Sequence, residues 1–219
     1  LPERPGATII LRLRAPSGEI QVYDWPSAGP TVLVLHGWIS HAARLQGVIQ
    51  ALRDRGLHVV AFDAPAHGRS HGTRADLHSF RDALNIVSTT CGPVAAILAH
   101  SFGALTAASW LAEDAAPPTL RAAVLVGLPR DVGYLFDSFV IAMGLRADVS
   151  SRLRSLFHSR YGRFPEQYSA RALAQRIRIP VLLVHGGADD LVPAGHAAEI
   201  ALKLREGCVH VVPGMNHSG

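Results

Sequence analysis

Cysteine is scarce in this chain. Cys91 and Cys208 are the only two among 219 residues. They show no metal-ligand spacing, and both lie beside apolar segments, so buried free thiols are expected rather than a disulfide framework. Lysine is scarcer still. With Lys203 alone, the net charge of +4 is carried by arginines scattered along the chain. A dispersed set of this kind reads as solvated surface and argues against nucleic-acid binding. Also missing is any apolar run approaching the roughly 18 residues that span a bilayer, so no membrane span is expected. No internal repeat or low-complexity tract interrupts the chain. No secretory-signal pattern is visible. A cytoplasmic location follows as the expectation, although the first residue is Leu1 rather than Met and a leader removed before it stays an open alternative.

What is present is the composition of a compact globular protein, 48% hydrophobic and 17% charged. The length suits one domain with a sizeable core. Residues 8–14 and 19–25 alternate apolar and polar around Pro16-Ser17-Gly18, the signature of an antiparallel hairpin with one wet face. The character then changes. Residues 31–35 are read as a continuous apolar run, as in a parallel strand covered on both faces, and residues 57–62 as a second buried strand. Further strands are expected at 95–99, 120–126, 181–184 and 208–212. Between them fall helical patterns at 42–54, 76–90, 104–111 and about 194–205, the second with Leu77, Phe80, Leu84 and Val87 on one face. Strands alternating with helices imply right-handed crossovers and a mostly parallel sheet.

The alternation lapses between residues 128 and 176. Helical pieces are expected there at 132–143, 148–158 and 169–177. The stretch holds well over half of the Phe and Tyr in the chain. It divides the sequence into a core, residues 1–127 and 177–219, and a helical lid insertion, residues 128–176, over the C-terminal ends of the strands, where doubly wound sheets bind ligands. Tyr134, Phe136, Phe139 and Met143 are its substrate-binding candidates. The plainer alternative is that the aromatics pack the insertion onto the sheet.

Chemistry is concentrated at Ala99-His100-Ser101-Phe102-Gly103. A serine squeezed between a buried strand and a helix sits on a turn so tight that its neighbours must be small, as Ala99 and Gly103 are. The hydroxyl is lifted onto the N-terminus of a helix, which favours negative charge. Five histidines, His36, His41, His67, His71 and His78, could gather at one sheet edge. No pair of them lies four apart on an expected helix with a third ligand, so no metal is expected, and no cofactor.

The turn resembles the nucleophile elbow of α/β-hydrolases, with Ala99 in place of the first glycine. His36-Gly37-Trp38, after the 31–35 strand, resembles the segment in which that superfamily places one oxyanion-hole amide. The resemblance implies the backbone N–H groups of Trp38 and Phe102 as donors. The segment from His185 to Pro193 looks like the acid turn H-G-x-x-D-x-x-V-P, which points to Asp189, with Asp190 as competitor. Gly214-Met215-Asn216-His217 follows the last strand, where the superfamily has its general base. The order Ser101, Asp189, His217 is that of α/β-hydrolases. The segment from Asp63 to Ser70 resembles the loop D-x-x-G-x-G-x-S, with Ala66 at the first glycine, and reads as scaffold. The likeness is to a bacterial branch of small hydrolases, whose members continue past the histidine into a covering helix.

By that resemblance the chain is an α/β-hydrolase-fold serine hydrolase acting on a small-molecule carboxylic ester through an acyl-enzyme. Carbon–carbon hydrolysis or cofactor-free perhydrolysis by the same three residues is the rival chemistry. A hydrolase fold retained as a non-catalytic binding module is the rival class. Oligomeric state has no sequence signal.

Overall fold

The computed structural model describes residue 6 and residues 8–113 and 116–218. Eight strands form one sheet: β1 (Ile9–Ala15), β2 (Gly18–Trp25), β3 (Thr31–Leu35), β4 (His58–Phe62), β5 (Val94–His100), β6 (Ala122–Val126), β7 (Val181–Gly186) and β8 (Gly207–Val212). Their spatial order is β1-β2-β4-β3-β5-β6-β7-β8. β1 pairs antiparallel with β2, and β2 with β4; every other pairing is parallel. The expected hairpin is therefore the antiparallel margin of an otherwise parallel sheet.

Continuous apolar strands are explained by burial on both faces. In β3, Val32 and Val34 join a core with Tyr23, Trp25, Val59 and Ala61 on one face. Leu33 and Leu35 join the larger core on the other. The smaller core is closed by Ile49 of α1 (Gln46–Arg53). The larger one is closed by α2 (Leu77–Thr90), α3 (Phe102–Ala112), α6 (Ala170–Ala174) and α7 (Gly195–Ala201). Every residue of α3 is buried, and its run of alanines, with Gly103, lets it approach the sheet closely. α2 starts where the sequence places it, because Asp76 and Ser79 cap each other's backbone N–H groups.

Several boundaries differ from expectation. The 42–54 helix begins as a 3-10 turn at Ala42–Leu45 before α1. The last two expected helices shorten to α6 and α7. Between β6 and β7 lie α4 (Val132–Ala142), α5 (Asp148–Tyr161) and α6. Phe157, Tyr168 and Leu173 of this segment belong to the larger core, so part of it packs down as the plainer reading held. Cys91 is half-buried, but Cys208 is exposed, contrary to expectation, because β8 is the outermost strand of the sheet. Among the described residues no helix is long and apolar enough to cross a membrane.

Candidate active site

Parallel strands all end on the same edge, and the chemistry-bearing residues follow those ends. Ser101 is the single residue between β5 and α3, at φ 54 and ψ −120. A non-glycine residue held there costs on the order of 1–3 kcal/mol and persists only where its surroundings over-determine it. Here its N–H donates to the Val126 carbonyl at 2.8 Å, while its carbonyl accepts from Leu105 at 3.1 Å. Gly103 is required by close approach: a Cβ there would collide with the His36 carbonyl and the Leu35 side chain. Ala99, in place of the usual glycine, is fully buried within the β3-β5-β6 ladder.

His217 arrives from the loop after β8. Its Nε2 lies 2.9 Å from Ser101 Oγ and its Nδ1 2.7 Å from Asp189 Oδ2. With the proton on Nδ1, His217 donates to the carboxylate and accepts from the hydroxyl, the tautomer that general-base chemistry needs. The Asp189 side chain is 1% exposed. Its other oxygen accepts from the N–H groups of Leu191 and Val192 at 3.0 and 2.8 Å. Asp190 is exposed, so of the two acids only Asp189 meets His217. Two glycines make room: a Cβ on Gly127 would stand 3.2 Å from the imidazole, and one on Gly186 would strike the Met215 carbonyl.

Other histidines hold this group in place. His100 Nε2–H donates to the His217 carbonyl at 2.8 Å, and burial pushes its pKa below the usual histidine value. His185 is wholly buried; its Nε2 lies 2.7 Å from the Val192 carbonyl and ties down the acid turn. On the other side of Ser101, His36 Nδ1–H donates to the Gly37 carbonyl at 2.7 Å, and its Nε2 accepts from Ala64 N–H at 2.9 Å. Burial lowers the pKa of His36 to about 4. The carboxylate of Asp63 accepts from Ala42 N–H, Tyr23 Oη and Arg69 N–H at 2.8 to 2.9 Å.

The two amides expected to face an oxyanion, those of Trp38 and Phe102, have no protein acceptor among the described residues. Gly37 lies so near the serine that a Cβ on it would be 3.0 Å from that of Ser101. The four aromatic and sulfur candidates separate. Phe139 meets Trp38 edge to face at 5.8 Å, beside the serine loop. Met143 ends α4, 60% exposed. Phe136 packs on Phe157, away into the body of the segment. Tyr134 donates through its hydroxyl to the Leu191 carbonyl at 2.5 Å, which bridges α4 to the acid turn.

His36, Asp63 and His185 were not singled out by sequence as functional, although each stands in a quoted motif. The available signal was a polar residue at the end of an apolar strand, which must find partners once buried. Of the five histidines weighed from sequence, His36 and His67 spend their ring nitrogens on backbone groups, and His78 packs against Tyr161 and Tyr168.

Comparison with known proteins gives a consistent picture. The profile of the family described as serine aminopeptidase, S33, matches residues 26–136, 111 of the 219 residues. The chain is 28% identical to a monoacylglycerol lipase of Mycolicibacterium smegmatis, over 90% of this chain and 85% of that one. It is 25% identical to a non-heme haloperoxidase of Rhodococcus erythropolis, over 91% and 89%. Its fold matches that of mouse alpha/beta hydrolase domain-containing protein 10 with a TM-score of 0.73 at 15% identity, covering 96% and 91% of the two chains.

Proposed function

The chain belongs to the serine aminopeptidase, S33, family of α/β-hydrolases, and from that premise we propose that it cleaves carboxylic esters through a covalent acyl-enzyme. The observation that carries this reading is the unbroken chain of contacts from Ser101 Oγ through both nitrogens of His217 to Asp189. A serine hydroxyl is a weak nucleophile near neutral pH, so an imidazole must take its proton as it attacks. In the proposed reaction Ser101 adds to the ester carbonyl while His217 accepts the proton and Asp189 stabilises the imidazolium. The amides of Trp38 and Phe102 hold the oxyanion. They are already in place before charge develops there, which is why such donors lower barriers. His217 then protonates the departing alcohol. Water, deprotonated by the same imidazole, releases the acid and restores Ser101.

Residues 128–176 act in this reading as a cap beside the strand ends, with Trp38, Phe139 and Met143 giving the acyl group an apolar wall. A small or short-chain acyl group suits a wall made of so few side chains. The similarity to a monoacylglycerol lipase supports an ester substrate. The similarity to a haloperoxidase supports the second reading, in which hydrogen peroxide replaces water at the acyl-enzyme and a peracid leaves.

A fluorophosphonate probe is expected to label the protein, and Ser101→Ala to abolish labelling. A folded wild-type protein that stays unlabelled would instead mark a binding module. A panel of p-nitrophenyl esters of increasing acyl length follows. Labelling without turnover of any ester would turn the assignment to perhydrolysis or carbon–carbon cleavage.

A further inference from the structure

We infer that His67 is a positioning residue that sets the direction of the Trp38 amide, an inference resting on the ester-cleaving reading of the Ser101 site. His67 lies in the loop after β4 but reaches the loop after β3. Its Nε2 accepts the N–H of Ile39 at 3.0 Å. Its Nδ1–H donates to the Pro65 carbonyl at 2.9 Å, and that bond selects the tautomer whose lone pair faces Ile39. The ring stands edge-on to Phe80 at 5.1 Å and beside His36 at 5.4 Å, so packing holds its plane.

The consequence for Trp38 follows from peptide planarity. The Trp38 N–H shares a rigid unit with the Gly37 carbonyl, and the Ile39 N–H shares the next unit with the Trp38 carbonyl. His36 grips the first unit through the Gly37 carbonyl. His67 grips the second through the Ile39 N–H. Only the φ and ψ of Trp38 lie between the two units, so two imidazoles together determine where its N–H points. In a trans peptide N–H and C=O oppose each other, so that N–H is directed away from His36.

Backbone strain marks the same place. Three non-glycine residues among those described have positive φ: Ile39 at 54, Ala66 at 61 and Ser101 at 54. One is the nucleophile candidate, one donates to His67, and one precedes His67 in the chain. For a β-branched residue such as Ile39 this conformation is a true outlier. Ile39 is 80% exposed, so little packing of its own holds it there. The bond to His67 is what the structure offers in its place.

The test pairs two substitutions. His67→Phe keeps a flat ring against Phe80 and removes the acceptor, whereas His67→Gln restores an acceptor oxygen. Each is assayed with a soluble p-nitrophenyl ester, for the rate of fluorophosphonate labelling, and for inhibition by an alkyl boronic acid, whose anionic tetrahedral adduct uses the same amides. Complete loss of one oxyanion donor costs about 10²- to 10³-fold in kcat, so a misdirected donor is expected to cost about 10- to 100-fold. His67→Phe should lower kcat and boronate affinity by that factor with KM little changed, and His67→Gln should recover most of it. A folded His67→Phe protein with unchanged kcat overturns the inference. So does a loss that tracks the melting temperature and is not recovered by glutamine, which would make His67 a structural tie only. Should the phenylalanine variant not fold, His67→Met, a flexible side chain without a strong acceptor, is read against the same two outcomes. A wild-type protein that no fluorophosphonate labels overturns the ester-cleaving reading itself, whereas normal wild-type labelling with an unaffected variant overturns the role of His67 alone.

Discussion

Acid should weaken this fold through His36 in particular, and the size of the effect can be worked out. Burial holds the His36 imidazole neutral in the fold, with its pKa lowered from 6.5 to about 4. Its Nε2 is already committed as an acceptor to Ala64 N–H, so a proton there would break that bond. In the unfolded chain the same group titrates near its ordinary value. Between those two values the unfolded state binds more protons, so stability falls as pH falls. The contribution is fully present above about pH 6.5 and spent by about pH 4. A gap of that size corresponds to roughly 3 kcal/mol in total and to about 2 kcal/mol between pH 7 and pH 5. For a chain of this length the latter is a drop in melting temperature of roughly 4–8 °C. Burial also lowers the pKa of His67, His78, His100 and His196, so the whole protein should fall more steeply than His36 alone requires. The assay therefore compares melting temperature against pH for the wild type and His36→Gln. The variant starts lower at pH 7, having lost one well-placed imidazole, but its curve should be flatter. Parallel curves from pH 7 to pH 5 would refute the reasoning, since the other histidines are common to both proteins.

The remaining predictions concern the site. Asp189→Asn should lower kcat by about 10⁴, through loss of the His217 tautomer, while the exposed Asp190→Asn should stay within about twofold of wild type in the same ester assay. An equal loss at Asp190 would move the acid role there. Gly103→Ala places a methyl against the His36 carbonyl and Leu35. Overpacking of that kind costs about 1–3 kcal/mol. Calorimetry should show the lower melting temperature, and the rate of fluorophosphonate labelling should fall with it, because the same shift moves the helix that carries Phe102.

Much of the architecture could be read before any coordinates. β3 was legible to the residue because four consecutive apolar side chains, Val32 to Leu35, need two covered faces, and the two cores receive them alternately. The tight turn at Ser101 was legible because only small neighbours tolerate a serine at that backbone angle. The ends of α6 and α7 were not, because their helical patterns run on past the last turn that tertiary packing keeps helical. Nor was the exposure of Cys208, which depends on β8 being an edge strand, a property of the sheet order and not of the residues around the cysteine.

By itself, then, the amino-acid order determined the strand and helix alternation, and with it the single sheet edge at which Ser101, Asp189 and His217 had to emerge. Periodicity and local turn chemistry act over a few residues, so they survive in the sequence. The turn motif pointed to Asp189, but tertiary structure decided that it and not Asp190 turns inward, that Tyr134 clasps that turn, and that His36 and His67 hold the peptides on either side of Trp38. For its peptide His36 reaches only the adjacent Gly37 carbonyl, but His67 meets Ile39, His217 meets Asp189 and Tyr134 meets Leu191 from at least 28 positions away, and periodicity over a few residues does not encode a meeting at that distance.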